Sequence, residues 1–188
     1  MKERPQPVEV QVPQDIRKLW DERGDPVVKI PAECLRQVAR PVERPTRATR
    51  ELVERMKSAM FQANGIGLAA PQMGVLERVI IVKLAEEGAP LHVFLNPKIV
   101  SYKGEQIGSE GCLSLPMLHG DVKRAREIVV KGMDMLGRPI RRRVVDMEAR
   151  VFQHEIDHLD GILFVDRADV DTLEWCVPGQ EQSEEATP

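Results

Sequence analysis

One stretch constrains this chain more than any other: Gln153-His154-Glu155-Ile156-Asp157-His158-Leu159-Asp160-Gly161. It contains the pattern His-Glu-x-x-His. On a helix, His154 and His158 stand one turn apart on the same face, so two imidazoles can close on one metal ion while Glu155 projects beside them. A bound divalent ion lowers the pKa of water to roughly 7, and a neighbouring carboxylate can take the proton. The flanks suit a helix, with Asp146 placed as an N-cap and Gly161 as a C-cap residue. Met147, Val151, His154 and His158 share one face, while Phe152, Ile156 and Leu159 occupy another. A helix that is apolar on more than one face is a buried helix. Burying two histidines and a glutamate there costs on the order of several kcal/mol unless they are paired or bind an ion. A metal site explains them better than hydrogen-bonded core histidines do.

The remaining sequence bounds the molecule around that helix. A chain of 188 residues, 42% apolar and 30% charged, suits one domain with a true core. A net charge of −3 gives no electrostatic reason for DNA or anionic membrane as a partner. No apolar run approaches the roughly 20 residues of a membrane span. Met1–Gln14 lacks the apolar core of a secretory signal, so a cytoplasmic protein is expected. Cys34, Cys112 and Cys176 are an odd number without disulfide-like spacing, hence free thiols or metal ligands.

Along the chain, residues 1–27 carry four prolines and scattered charge. They are expected to form an extended or partly disordered arm, with a short helical turn at Asp15–Trp20. A single domain should then cover 28–176, and the acidic tail 177–188 should be disordered. Leu52, Val53, Met56, Ala59, Met60 and Ala63 follow helical spacing behind Thr46 or Thr49 as a cap, and Asn64-Gly65 ends the helix. The run Gly65-Ile66-Gly67-Leu68-Ala69-Ala70-Pro71-Gln72 matches neither common phosphate loop and reads as a tight turn or a binding loop. Val79–Leu84, Leu91–Leu95 and Ile99–Tyr102 read as strands, with Asn96-Pro97 as a break. Glu127–Met133 and Pro139–Val145 read as a hairpin whose arginines face solvent. Ile162–Val165 reads as a short strand or a packed exit from the helix.

Two histidines need a third ligand. The extended zinc-protease pattern would place a histidine at position 164, which is Phe164, so that pattern fails. A glutamate after the helix could only be Glu174, close to the tail. Upstream stands Cys112 in Glu110-Gly111-Cys112-Leu113-Ser114, which would make a Cys-His-His site with one open position.

Three motifs now stand in order: Gly65–Gln72, Glu110–Ser114 and Gln153–Leu159. Together they resemble the signature motifs of peptide deformylases, from about Leu35 to Arg167. The resemblance implies an α+β fold in which antiparallel sheets pack around a buried central helix carrying His-Glu-x-x-His. It implies a hydrolase that removes the formyl group from formyl-methionyl nascent polypeptides, with Cys112, His154 and His158 holding one divalent ion. That ion is ferrous iron as a rule, and zinc, nickel or cobalt can occupy the site. Glu155 would be the general base, and the Gln72 amide and Leu113 N–H would form the oxyanion hole. Backbone groups of Ile66 and Gly111 would pair with the substrate, with Gly67 leaving room for it. A monomer working near the ribosome exit, without DNA or membrane, is the expected setting. Asp146 replaces a glycine frequent in the family, and Arg150 stands where some relatives place an apolar residue at the rim of the first side-chain pocket. Two other readings remain: a zinc peptidase using Glu174, and a non-enzymatic module that binds nascent N-termini around a structural metal.

Overall fold

The structure, a computed structural model, describes residues 4–23, 26–86 and 88–177. It is a mixed α/β fold with three α-helices and two antiparallel sheets. The helices are α1 (Gln14–Arg23), α2 (Arg47–Gln62) and α3 (Asp146–Leu159). Five strands form the larger sheet: β1 (Gly67–Ala69), β2 (Val79–Val82), β3 (His92–Lys103), β6 (Glu127–Met133) and β7 (Pro139–Val145), ordered β1-β2-β3-β6-β7. The smaller sheet holds β4 (Gln106–Cys112), β5 (Leu115–Arg124) and β8 (Glu174–Trp175) in that order.

The unbroken apolar run Val79-Ile80-Ile81-Val82 shows why the larger sheet is covered on both sides here. A strand that is apolar at every position has no face to give to water. Ile80 and Val82 pack with Phe94 and with Val151, Phe152, Ile156 and Leu159 of α3. Val79 and Ile81 pack with Leu52, Val53, Met56 and Met60 of α2. Successive side chains of one strand therefore join the two helices through the sheet. Phe94 meets Phe152 edge to face at 5.1 Å. A third apolar cluster lies at β5, around Leu115, Leu118, Val122, Leu163, Phe164 and Val165. Among the described residues, no helix is long and apolar enough to cross a membrane.

The Thr46 cap forms as expected: its side chain accepts from Thr49 N–H, and Thr49 returns the bond. The hairpin β6–β7 also forms, with Glu127 opposite Val145 and Met133 opposite Pro139. Three local expectations change. All of the expected Leu91–Leu95 run but Leu91, together with Ile99–Tyr102, belongs to one strand, β3, which absorbs Asn96-Pro97 as an irregularity, with Asn96 at φ +51. For Ile162–Val165 the packed exit holds and the strand does not: all four residues are buried, and a 3₁₀ turn spans Phe164–Asp166. Asp146 is not the cap. It is the first residue of α3 at φ +51, bonded to Arg126 through backbone and side chain. That left-handed conformation suits glycine, and aspartate tolerates it better than most residues.

In the N-terminal arm the helical turn expected at Asp15–Trp20 forms and runs longer. Residues 4–13 are extended, but ten residues then form α1. Ile16 and Trp20, one helical turn apart, are both buried in the cluster at β5. Val8 donates its N–H to Asp166 and accepts from Arg36. The expected tail over 177–188 lies, apart from Val177, outside the described residues.

Gly161 closes α3 at φ +69, and a Cβ there would stand 2.4 Å from the carbonyl oxygen of Arg36. Left-handed strain and a backbone clash act together at this point. Gly161→Ala should therefore lose about 2–4 kcal/mol. A thermal melt should show the midpoint lowered by roughly 5–15 °C; an unchanged midpoint would contradict this account of the turn.

Candidate active site

Helix α3 presents His154 and His158 toward β4 of the smaller sheet and Glu155 toward Gly67 of β1. The sulfur of Cys112, at the end of β4, lies 3.2 Å from His158 Nε2. One ligand atom each from Cys112, His154 and His158 falls within 4.8 Å of the others. Ligand atoms on one tetrahedral ion, with bonds of about 2.0–2.3 Å, stand roughly 3.5 Å apart, so this spacing suits a shared ion. Two buried polar atoms among the described residues have no hydrogen-bond partner at this place, His158 Nδ1 and Glu155 Oε2. A sulfur and two imidazole nitrogens form a donor set that a divalent cation completes, with the unsatisfied Glu155 carboxylate beside it.

The carboxylate of Glu110 orients the first histidine. Its Oε2 meets His154 Nδ1 at 2.9 Å, which leaves Nε2 free to face the other donors. Arg124 clamps Glu110 with both fork nitrogens, at 2.9 and 2.8 Å, and Arg150 reaches the same carboxylate at 2.8 Å. Arg124 also bonds Asp157, which Arg167 holds from its other side at 2.7 and 2.8 Å. Burial by itself would raise the Glu110 carboxyl, but the bonds from Arg124 and His154 outweigh it and hold the group well below the usual carboxylate range. Burial depresses His158, and the charges of His154 and Arg124 push it the same way, toward the neutral form that binds metals. Burial would depress His154 too, yet Cys112 and Glu110 beside it raise it instead. Burial pushes Glu155 up to about 7, against the pull of His154.

Gln72 sits in the 3₁₀ turn Ala70–Met73 that follows β1. Its Oε1 accepts from Ala69 N–H at 2.8 Å, which fixes the amide's orientation. The Nε2 donor therefore points at the Cys112 sulfur, 3.5 Å away, and at Ser114 Oγ, 3.2 Å away. Gly67 has a specific reason to lack a side chain: a Cβ there would stand 2.3 Å from Glu155 Oε1. The glycine thus admits the glutamate.

Of the nine residues singled out from sequence, eight line one groove of about 450 Å³: Ile66, Gly67, Gln72, Gly111, Cys112, Leu113, His154 and Glu155. His158 lies behind the wall, 1% exposed. Glu174, the rival ligand, is exposed on β8 opposite His119 and does not belong to the donor cluster. Arg150 does line the groove, but its guanidinium bonds Glu110 and the carbonyls of Gly108 and Val122. Sequence reasoning gave no role to Glu110, Arg124, Asp157 or Ser114. The one available signal was Arg150, a full turn before His154 on α3.

Clustered sulfur and imidazole donors, a buried acid and an oriented amide in one open groove define a metal-dependent hydrolase. The profile described as polypeptide deformylase matches residues 25–173. The chain belongs to this family, whose members remove the formyl group from N-formylated nascent peptides. It is 46% identical over 152 residues to the peptide deformylase of Halothermothrix orenii, covering 81% of this chain and 91% of that one. With that of Thermomicrobium roseum it shares 43% over 170 residues, covering 87% and 93%. Among solved structures, the Synechococcus elongatus peptide deformylase in complex with actinonin superposes with a TM-score of 0.73 at 40% identity, over 76% of this chain and 78% of that one. A Met-Ala-Ser-bound class I type b enzyme from Acinetobacter baumannii gives 0.72 at 37%, over 76% and 97%.

Proposed function

We propose that the groove between α3, β1 and β4 is where deformylation takes place, with Cys112, His154 and His158 holding the ion and Glu155 moving the proton. The observation that carries this reading is the convergence of three donor side chains, a buried carboxylate and the Gln72 amide on one cavity. In this reading α3 is the central metal helix around which the sheets are arranged, and 28–176 form the catalytic domain. The ion supplies Lewis acidity toward the formyl oxygen and toward water. Glu155 takes a proton from the attacking water and returns it to the departing amine nitrogen. Gln72 Nε2 and Leu113 N–H donate to the oxygen on which negative charge develops. The Ile66 carbonyl already accepts from Lys83 N–H at 2.9 Å, so a peptide at this edge meets the Ile66 N–H and the backbone of Gly111 as an added strand.

Ferrous iron is the proposed resident ion, with zinc, nickel and cobalt compatible with the same donors. Formyl-methionyl peptides are the proposed substrates, supported by the Met-Ala-Ser peptide in the Acinetobacter baumannii relative. A monomer acting in the cytoplasm near the ribosome exit fits this role.

The test is formate release from a formyl-methionyl peptide by anaerobically prepared protein. Folded protein loaded with iron, nickel or cobalt that releases none would end this reading. Gln72→Ala should keep its metal and lose roughly 100- to 1,000-fold in kcat, as loss of one oxyanion donor does. A change confined to KM would assign Gln72 to substrate binding instead.

A further inference from the structure

The segment that follows Cys112, a turn that runs into the start of β5, is gripped from outside by three separate parts of the chain. Ser114 carbonyl accepts from Ile30 N–H at 3.2 Å, and Met117 carbonyl from Cys176 N–H at 2.7 Å. Between them, Pro116 carbonyl accepts from the indole N–H of Trp20 at 3.1 Å, in a bond buried from solvent. Trp20 stands on α1, which precedes residues 25–173, the part matched to the deformylase profile. The peptide it holds leads into Met117, whose φ of +70 is a conformation that residues with a Cβ rarely adopt. Pro116 and Met117 both line the catalytic groove. Such backbone persists only where its surroundings over-determine it. The position of Trp20 is itself secured, since its ring packs against Trp175 at 6.1 Å and Ile16 is buried one turn earlier.

We propose that Trp20 is a positioning residue for substrate binding: its indole N–H fixes the Pro116–Met117 peptide as a wall of the groove. This rests on the groove being the deformylation site. The hydrogen bond of Trp20 goes to Pro116 and to none of the residues assigned to the ion or the proton, so its effect falls on binding of the peptide and not on the chemical step. Without the indole N–H, the Pro116 carbonyl is a buried acceptor that has lost its donor, and the turn relaxes.

The experiment is steady-state kinetics on a formyl-Met tripeptide with Trp20→Phe, which keeps an aromatic ring and removes the donor. KM should rise about five- to tenfold, the scale of one lost buried hydrogen bond, while kcat stays within about twofold of the parent. If the phenylalanine variant folds poorly, β-(3-benzothienyl)alanine at position 20 preserves the indole shape without its N–H and should give the same result. Ile16→Val serves as the control on the same helix: its melting temperature should fall while KM stays as in the parent. An unchanged KM in a folded position-20 variant would overturn the proposal, as would an equal rise in KM for Ile16→Val. Failure of the groove assignment itself would register elsewhere, as retained activity in a Glu155 variant.

Discussion

Glu155→Gln should release formate roughly 100- to 10,000-fold more slowly than the parent while holding the same amount of metal, the range expected when a positioned base is lost. The geometry separates the two properties. Glu155 lies beside Gly67 and the donor cluster, while the atoms proposed to hold the ion belong to Cys112, His154 and His158. The amide nearly matches the carboxylate in shape, so the fit against Gly67 is kept. It also removes an ionisable group from a site where burial disfavours its charge. Folding stability should accordingly stay within about 1 kcal/mol of the parent. Metal analysis and a thermal melt on the sample used for kinetics decide the matter. Activity within tenfold of the parent would remove Glu155 from the mechanism, and loss of the metal would recast it as a ligand.

The second large effect lies behind the site. Arg124 is buried, 4% exposed, and joins Glu110 to Asp157. Arg124→Met fills similar volume with an apolar chain and leaves two buried carboxylates short of a partner. Breaking a buried ion pair from one side costs about 3–5 kcal/mol. Arg150 still reaches Glu110 and Arg167 still reaches Asp157, which argues for the lower part of that range. The same substitution loosens the carboxylate that orients His154, so metal affinity should fall by about 10- to 100-fold. Both readouts are direct: a denaturation curve, and the rate at which a chelator strips the ion. A melt and a stripping rate equal to the parent's would show that Arg124 only fills space.

Much of the site was legible before the fold was known, and the residues show why. His154, Glu155 and His158 lie within one helical turn, and Gln72 and Cys112 sit in short motifs whose order matched a family. Ile66, Gly67 and Gly111 were expected at the peptide from that resemblance alone, and all three line the groove. That Gly67 also makes room for Glu155 was hidden, because the approach to Glu155 Oε1 joins residues 88 positions apart in sequence. The arginine network was hidden for the same reason. Arg124 and Asp157 have no local pattern that distinguishes a buried clamp from a solvated strand or helix charge. Asp146 misled because aspartate is a good N-cap, while a left-handed φ leaves no mark in the sequence. The arm was underestimated because its prolines mask a buried pair, Ile16 and Trp20, whose partners lie in β5 and β8.

The sequence by itself determined the helix that pairs the two histidines, the chemistry those ligands support and the family to which the chain belongs. The first two depend on spacing within a single element, which helix geometry converts directly into adjacency, and the family on three short motifs in order. Only the tertiary structure decided that Cys112, 46 residues before His158, meets it at 3.2 Å. Only there does Glu110 turn His154 toward the donors, and only there does an N-terminal tryptophan reach the wall of the groove. Contacts of that kind arise when strands and helices bury one another's apolar faces, and that burial fixes directions that no local period encodes.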